Sequence, residues 1–134
     1  MVYRAARVAR NAENDRSNVP GMCLVQVRTW AGINARYGTA AIAWFNTNQR
    51  FPKDRNPPRG APVFWTGGSH GFGHIALSLG NGKIRSTDIG GAGNVATVDL
   101  GYIERNWHET YAGWAWDLNE VTIPHLWWDQ HHKK

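Results

Sequence analysis

Apolar residues recur along the first third of the chain with the period of a helix and along the remainder with the period of a strand. Val2, Ala5, Val8, Ala9 and Ala12 fall at mixed three-and-four spacing, with Arg4, Arg7 and Arg10 on another face. This pattern predicts an amphipathic helix over residues 2–13. After the turn-rich stretch NDRSNVPG, the residues Leu24, Val27, Trp30 and Ala31 repeat helically, with Gly32 and Asn34 as stop signals. Residues 39–46, TAAIAWFN, read as a short buried helix, and NQRFPKDRNPPRGAP as a long proline-rich connection.

The period then changes. PVFW reads as a strand, GGSHGFG as a glycine-rich loop and HIALSLG as a second strand. Asn81-Gly82 marks a hairpin, with KIRSTDI as the returning strand. VATVDL reads as a further or edge strand, YIERNW as a helical turn and YAGWAWDLNEV as a last strand. The tail IPHLWWDQHHKK has no period. Helices first and antiparallel strands afterwards define an α+β architecture. Residues 1–124 read as one domain and 125–134 as a tail or linker, so His131 and His132 read as linker rather than as ligands.

The chemistry centres on Cys23, the single cysteine among 134 residues. It follows Pro20-Gly21 and opens the second predicted helix, where unpaired N–H groups and the helix dipole favour an anion. A thiol there is expected below its ordinary pKa of about 8.5. One cysteine allows no internal disulfide. Neither an apolar run of signal-peptide length nor one of transmembrane length is present, so no membrane insertion is expected.

A thiol nucleophile needs a base, usually histidine, and the base needs an orienting group. Of six histidines, His74 is best placed, opening a strand beside the glycine-rich loop. His70, in that loop, is either a substrate contact or solvated. A two-residue Asn81-Gly82 loop would place Thr87 and Ile89 on the face of His74. A loop longer by one residue, with a bulge, would place Ser86 and Asp88 there. Asp88 is the stronger hydrogen-bond acceptor, and Asn94 is a further alternative. Asn14 and Asn18 are candidates for an oxyanion-binding side chain.

A net charge of +5 and a pI of about 9.8 suit an anionic partner. The basic residues are scattered, which argues against a nucleic-acid binder. Eight tryptophans can supply both core and groove.

GMCLVQVRTW, GAPVFW, GHIALSLGNGKIRSTD and YAGWAWDLN, taken together, resemble the papain-like catalytic domain of bacteriophage endolysins. These are the CHAP and NlpC-type peptidoglycan hydrolases, and the likeness is greatest to lysins of phages infecting actinobacteria. The resemblance covers about Pro20 to Asn119. It implies a cysteine peptidase or amidase of peptidoglycan, with Cys23 as nucleophile, His74 as base and Asp88 as orienter, and no cofactor. Where NlpC-type enzymes most often carry a second histidine, this chain has Ser86. CHAP domains often carry calcium-binding acids near the cysteine. Here only Glu13 and Asp15 precede it, so no metal is expected. A groove of Trp65, His70, Phe72 and Trp114 would hold the wall peptide. The resemblance further implies accumulation in the host cytoplasm, release through holin lesions and a C-terminal wall-binding domain in a longer protein.

Overall fold

The computed structural model describes residues 1–17 and 19–125, and it is α+β, with helices packed on an antiparallel sheet. Helix α1 spans Ala5–Asn14, α2 Cys23–Ala31 and α3 Ala40–Phe45. The residues α2 buries, Leu24, Val27, Trp30 and Ala31, are those that the apolar spacing selects, and Gly32 ends the helix in the left-handed conformation at φ 73°. Thr39 caps α3 by accepting the N–H of Ile42. No described helix is long and apolar enough to cross a membrane.

The strands are β1 (Arg50–Pro52), β2 (Pro62–Thr66), β3 (His74–Gly80), β4 (Lys83–Thr87), β5 (Val95–Asp99) and β6 (Thr110–Ala115). They form one sheet in the order β1-β6-β2-β3-β4-β5. Strands β2 to β5 run as a meander. A short helix α4 (Tyr102–Trp107) then returns the chain so that β6 lies on the far side of β2. Central β2 is buried on both faces, hence its unbroken apolar run.

Two apolar clusters flank the sheet. Phe64, Ile75, Leu77 and Ala115 pack with α1, α2 and α3 on one face. Val63, Trp65, Ala76, Ile84, Tyr111 and Trp114 pack with Ile103 of α4 on the other. The strict alternation along β3 therefore sends Ile75 and Leu77 towards α2, and Ala76 towards α4.

Two elements depart from the sequence reading. The proline-rich connection contains β1, an edge strand whose Phe51 stacks on Trp114 at 4.0 Å. The last expected strand is broken at Trp116. Beyond it β7 (Asp117–Leu118) and β8 (Val121–Thr122) make a separate hairpin whose turn residues, Asn119 and Glu120, both have positive φ. Asn-Glu supplies the left-handed pair here without the Asn-Gly dipeptide that usually announces it.

Asp117 anchors this break. Its buried carboxylate accepts the N–H groups of Asn48 at 2.8 Å and Gln49 at 2.7 Å. Asp117→Ala leaves two part-buried amides unpaired and is expected to cost about 2–4 kcal/mol, read as a lower urea midpoint at unchanged slope. A loss under about 0.5 kcal/mol contradicts this role.

Candidate active site

The approach to α2 is a turn in which the N–H of Met22 reaches the carbonyl of Val19, and Gly21 takes a φ of 79°. The Gly21 N–H donates to Asp88 Oδ2 at 3.1 Å, while Asp88 Oδ1 accepts the N–H of Gly93 at 2.8 Å. Asp88 thus ties the loop before Cys23 to the loop after β4. Cys23 keeps part of its surface open. It packs against the helix-side cluster.

His74 enters β3 from Gly73, whose φ is 71° and where a Cβ would lie 2.4 Å from the Trp65 carbonyl oxygen. Only glycine fits that approach. One residue earlier, the Phe72 carbonyl accepts the N–H of Ala41 in α3, which fixes the loop against the helices.

His74 is 4% exposed. Its ring meets Trp107 edge-on, with centroids 4.7 Å apart, and Trp65 at 5.9 Å. His74 Nε2 lies 2.7 Å from Ser86 Oγ, and Ser86 Oγ donates to the Thr87 carbonyl at 3.0 Å. A hydroxyl has one hydrogen to give, so with that hydrogen on Thr87 the serine oxygen accepts from the ring. This hydrogen-bond pattern assigns the neutral imidazole's proton to Nε2 and leaves Nδ1 as the nitrogen with a lone pair.

The partner of His74 is therefore Ser86 and not Asp88, although the bulged register that brings Ser86 to that face is one of the two the sequence allows. Leu77 pairs with Arg85 and Ser78 with Ile84, and the register shifts before Gly80 pairs with Lys83. Strand β4 ends at Thr87, and Asp88, at φ 61°, turns out of it. Its carboxylate follows the loop instead of the ring. Asn94 donates to the Gly90 carbonyl, also away from His74.

Burial pushes the His74 pKa down from 6.5 to about 4, against the opposing pull of the Asp88 charge. Burial pushes the Cys23 thiol up. The N–H groups of Ile75 and Leu24 pull it down, while the charges of Asp88 and Glu109 add to the rise. The expectation of a thiolate at the helix start is thus reversed. Desolvation outweighs the helix terminus, and the pair rests as thiol and neutral imidazole.

Cys23 and His74 line one groove of about 430 Å³, reaching it from the two sides of the first residues of β3. His70 and Phe72 line it as the sequence reading expects, and Asp88 borders it. Trp65 and Trp114 do not. Trp65 is fully buried beneath His74, and Trp114 is buried against Phe51, with its Nε1 donating to Asp54. Trp107, Tyr37 and Glu109 take those places. No spacing in the sequence selects them, because α4 and the loops meet the groove only through the fold.

Asn14 closes α1 and is not among the groove residues, and Asn18 lies outside the described residues. His131 and His132 lie outside them too. Asp15 accepts from Trp30 Nε1 and Gln26, and Glu13 pairs with Arg59. Both acids therefore serve α1's packing on its neighbours. Comparison with known proteins finds no matching family model, no similar characterised protein and no similar solved structure.

A depressed imidazole pKa destabilises the fold in acid, because the unfolded chain takes up its proton first. The His74 contribution is whole above pH 6.5 and is lost as pH falls towards 4, about 3 kcal/mol in all. Glu109, raised to about 6 by burial, acts in the opposite sense between pH 6 and 4.5, but it is half-exposed and weighs less. The urea midpoint is expected to fall between pH 6.5 and 4 in the wild type, and much less in His74→Gln. Equal falls in both proteins would contradict the assignment.

Proposed function

We propose that this chain is a cysteine-dependent hydrolase of peptide amides, with a papain-like arrangement, acting on bacterial peptidoglycan as the catalytic domain of an endolysin of the CHAP and NlpC-type kind. The observation that carries the proposal is the shared groove. Cys23 at a helix start and His74 at a strand start open onto it, and the imidazole's far nitrogen is held by buried Ser86.

In this reading Nδ1 of His74 takes the thiol proton as Sγ attacks the amide carbonyl. The tetrahedral intermediate collapses as the imidazolium protonates the leaving amine, giving a thioester. His74 then deprotonates water, which releases the acid and restores the thiol. Starting from two neutral groups avoids desolvating an ion pair before substrate arrives. Met22, Val25 and Phe72 leave large apolar surfaces exposed at the groove, which suits the aliphatic parts of a wall peptide. The net charge of +5 suits an anionic wall. A non-catalytic wall- or carbohydrate-binding module draws less support, since Trp30, Trp44, Trp65 and Trp114 are spent on packing.

The same reading assigns release at lysis through holin lesions. It invokes no cofactor and no nucleic acid.

Turbidity loss of purified actinobacterial walls is the test. Clearing is expected from the wild type and from neither Cys23→Ala nor His74→Ala. Mass spectrometry of the new ends then distinguishes amidase from endopeptidase. Ser86→Ala is expected to lower kcat by at least about tenfold but by less than the ~10⁴ that loss of an orienting carboxylate costs, because serine holds the tautomer without adding charge. Clearing that survives Cys23→Ala sinks the proposal.

A thiol resting protonated also predicts its reactivity. Iodoacetamide alkylation of Cys23 is expected to be slower at pH 7 than that of a free cysteine and to climb steeply above pH 9. A rate flat from pH 5 to 9 would instead indicate a thiolate–imidazolium pair.

A further inference from the structure

Glu109 is the groove residue whose bonding is unfinished. It follows α4 and precedes β6, and it packs against Gly68, where a Cβ would already lie 3.4 Å from its carboxylate. Its Oε1 is closed off from solvent and has no hydrogen-bond partner among the described residues. A carboxylate in that position carries an uncompensated desolvation cost. Its raised pKa, about 6, expresses the same cost.

The other charged and titratable groups on the groove do not relieve it. Asp88 accepts two backbone N–H groups, and His74 is held by Ser86. Arg28 donates to the Ile33 carbonyl, and Tyr37 donates to Glu120. His70 lies against the Phe72 ring. Cys23 is a neutral thiol whose ionisation the Glu109 charge opposes. No cation of the groove is bonded to Glu109 among the described residues, so a ligand cation would meet its carboxylate at the oxygen that is not closed off.

We infer that Glu109 is a specificity-determining residue that selects substrates carrying a primary ammonium group close to the scissile amide. An ammonium is favoured over a guanidinium because a planar fork needs both carboxylate oxygens open, whereas a compact point charge needs only one approach. The inference rests on the hydrolase reading for the word substrate, and on the groove alone for the binding preference. In wall peptides the side-chain amine of the diamino acid supplies such a group. Its charge beside Glu109 would also offset the carboxylate's effect on Cys23 and ease thiol ionisation when the correct peptide is bound.

The test uses two synthetic stem peptides that are identical except that the diamino acid's side-chain amine is free in one and acetylated in the other. Binding to the Cys23→Ala protein is measured by calorimetry at pH 7.5 and pH 5. The free-amine peptide is expected to bind at least about tenfold tighter at pH 7.5, a typical margin for a charge-assisted contact. The margin is expected to shrink at pH 5, where Glu109 takes up a proton while the amine stays charged, and to vanish in Cys23→Ala/Glu109→Gln. Equal binding of the two peptides, no binding of either, or a preference that survives Glu109→Gln overturns the inference. If Glu109→Gln does not fold, the pH dependence of the preference in the Cys23→Ala protein decides the matter instead, and a margin unchanged at pH 5 overturns the inference. Amine-dependent binding without cleavage by the wild type would leave Glu109 as the selector and reject the hydrolase reading.

Discussion

The one-residue offset in the β3–β4 pairing is the constraint on which the site depends. With Leu77 opposite Arg85 and the irregularity between Ser78 and Gly80, even-numbered residues of both strands share a face at the His74 end. Ser86 then meets Nε2, and Ile84 joins Ala76 and Trp65 in the cluster under α4. A register without the offset would turn Thr87 to the ring and Ser86 to the helices, exchanging every inward and outward side chain of β4. The same alternation sends Ile75 and Leu77 to α2, so the packing that seats the Cys23 helix and the hydrogen bond that seats the histidine come from one pairing.

Burial has two effects that pull against each other at this site. Packing His74 between Trp107 and Trp65 fixes the ring and, through Ser86, its tautomer. It also strips the ring of water, which disfavours the imidazolium. Desolvation likewise holds the Cys23 proton on sulfur. Two neutral partners cost little to bury, whereas an ion pair would carry the desolvation cost of two charges. In the proposed hydrolase the charge separation would therefore belong to the step in which a bound carbonyl and its surroundings can absorb it.

The sequence carries the helices and the meander through local signals. The apolar spacing of α1 and α2, the threonine cap of α3 and the Asn81-Gly82 hairpin are all written within a dozen residues of where they act. Cys23, His74, His70 and Phe72 are legible for the same reason, since each stands at an element boundary or in the glycine loop. Trp107 and Glu109 are not, because they reach the groove only after α4 returns the chain to place β6 beside β2, a long-range consequence of sheet order. Trp65 and Trp114 mislead because an aromatic in a strand looks alike whether its face meets a groove or a second cluster. Only the assembled layers decide that both are buried.

Asp88 shows how a residue can bear on this pair without touching it. Its backbone leaves the strand at φ 61°, and its two oxygens are committed to the N–H groups of Gly21 and Gly93. Both bonds lock loops that border the groove, and both hold the carboxylate in place. From there its charge opposes the fall in the His74 pKa and adds to the rise in that of Cys23. A fixed anion on that side favours the proton on the ring over the negative charge on sulfur. It therefore resists a resting thiolate, and in the proposed hydrolase it would stabilise the imidazolium once sulfur had passed its charge to the substrate's oxygen. In that reading Asp88 would give the histidine the electrostatic service of an orienting carboxylate across space, while a neutral serine fixes the ring.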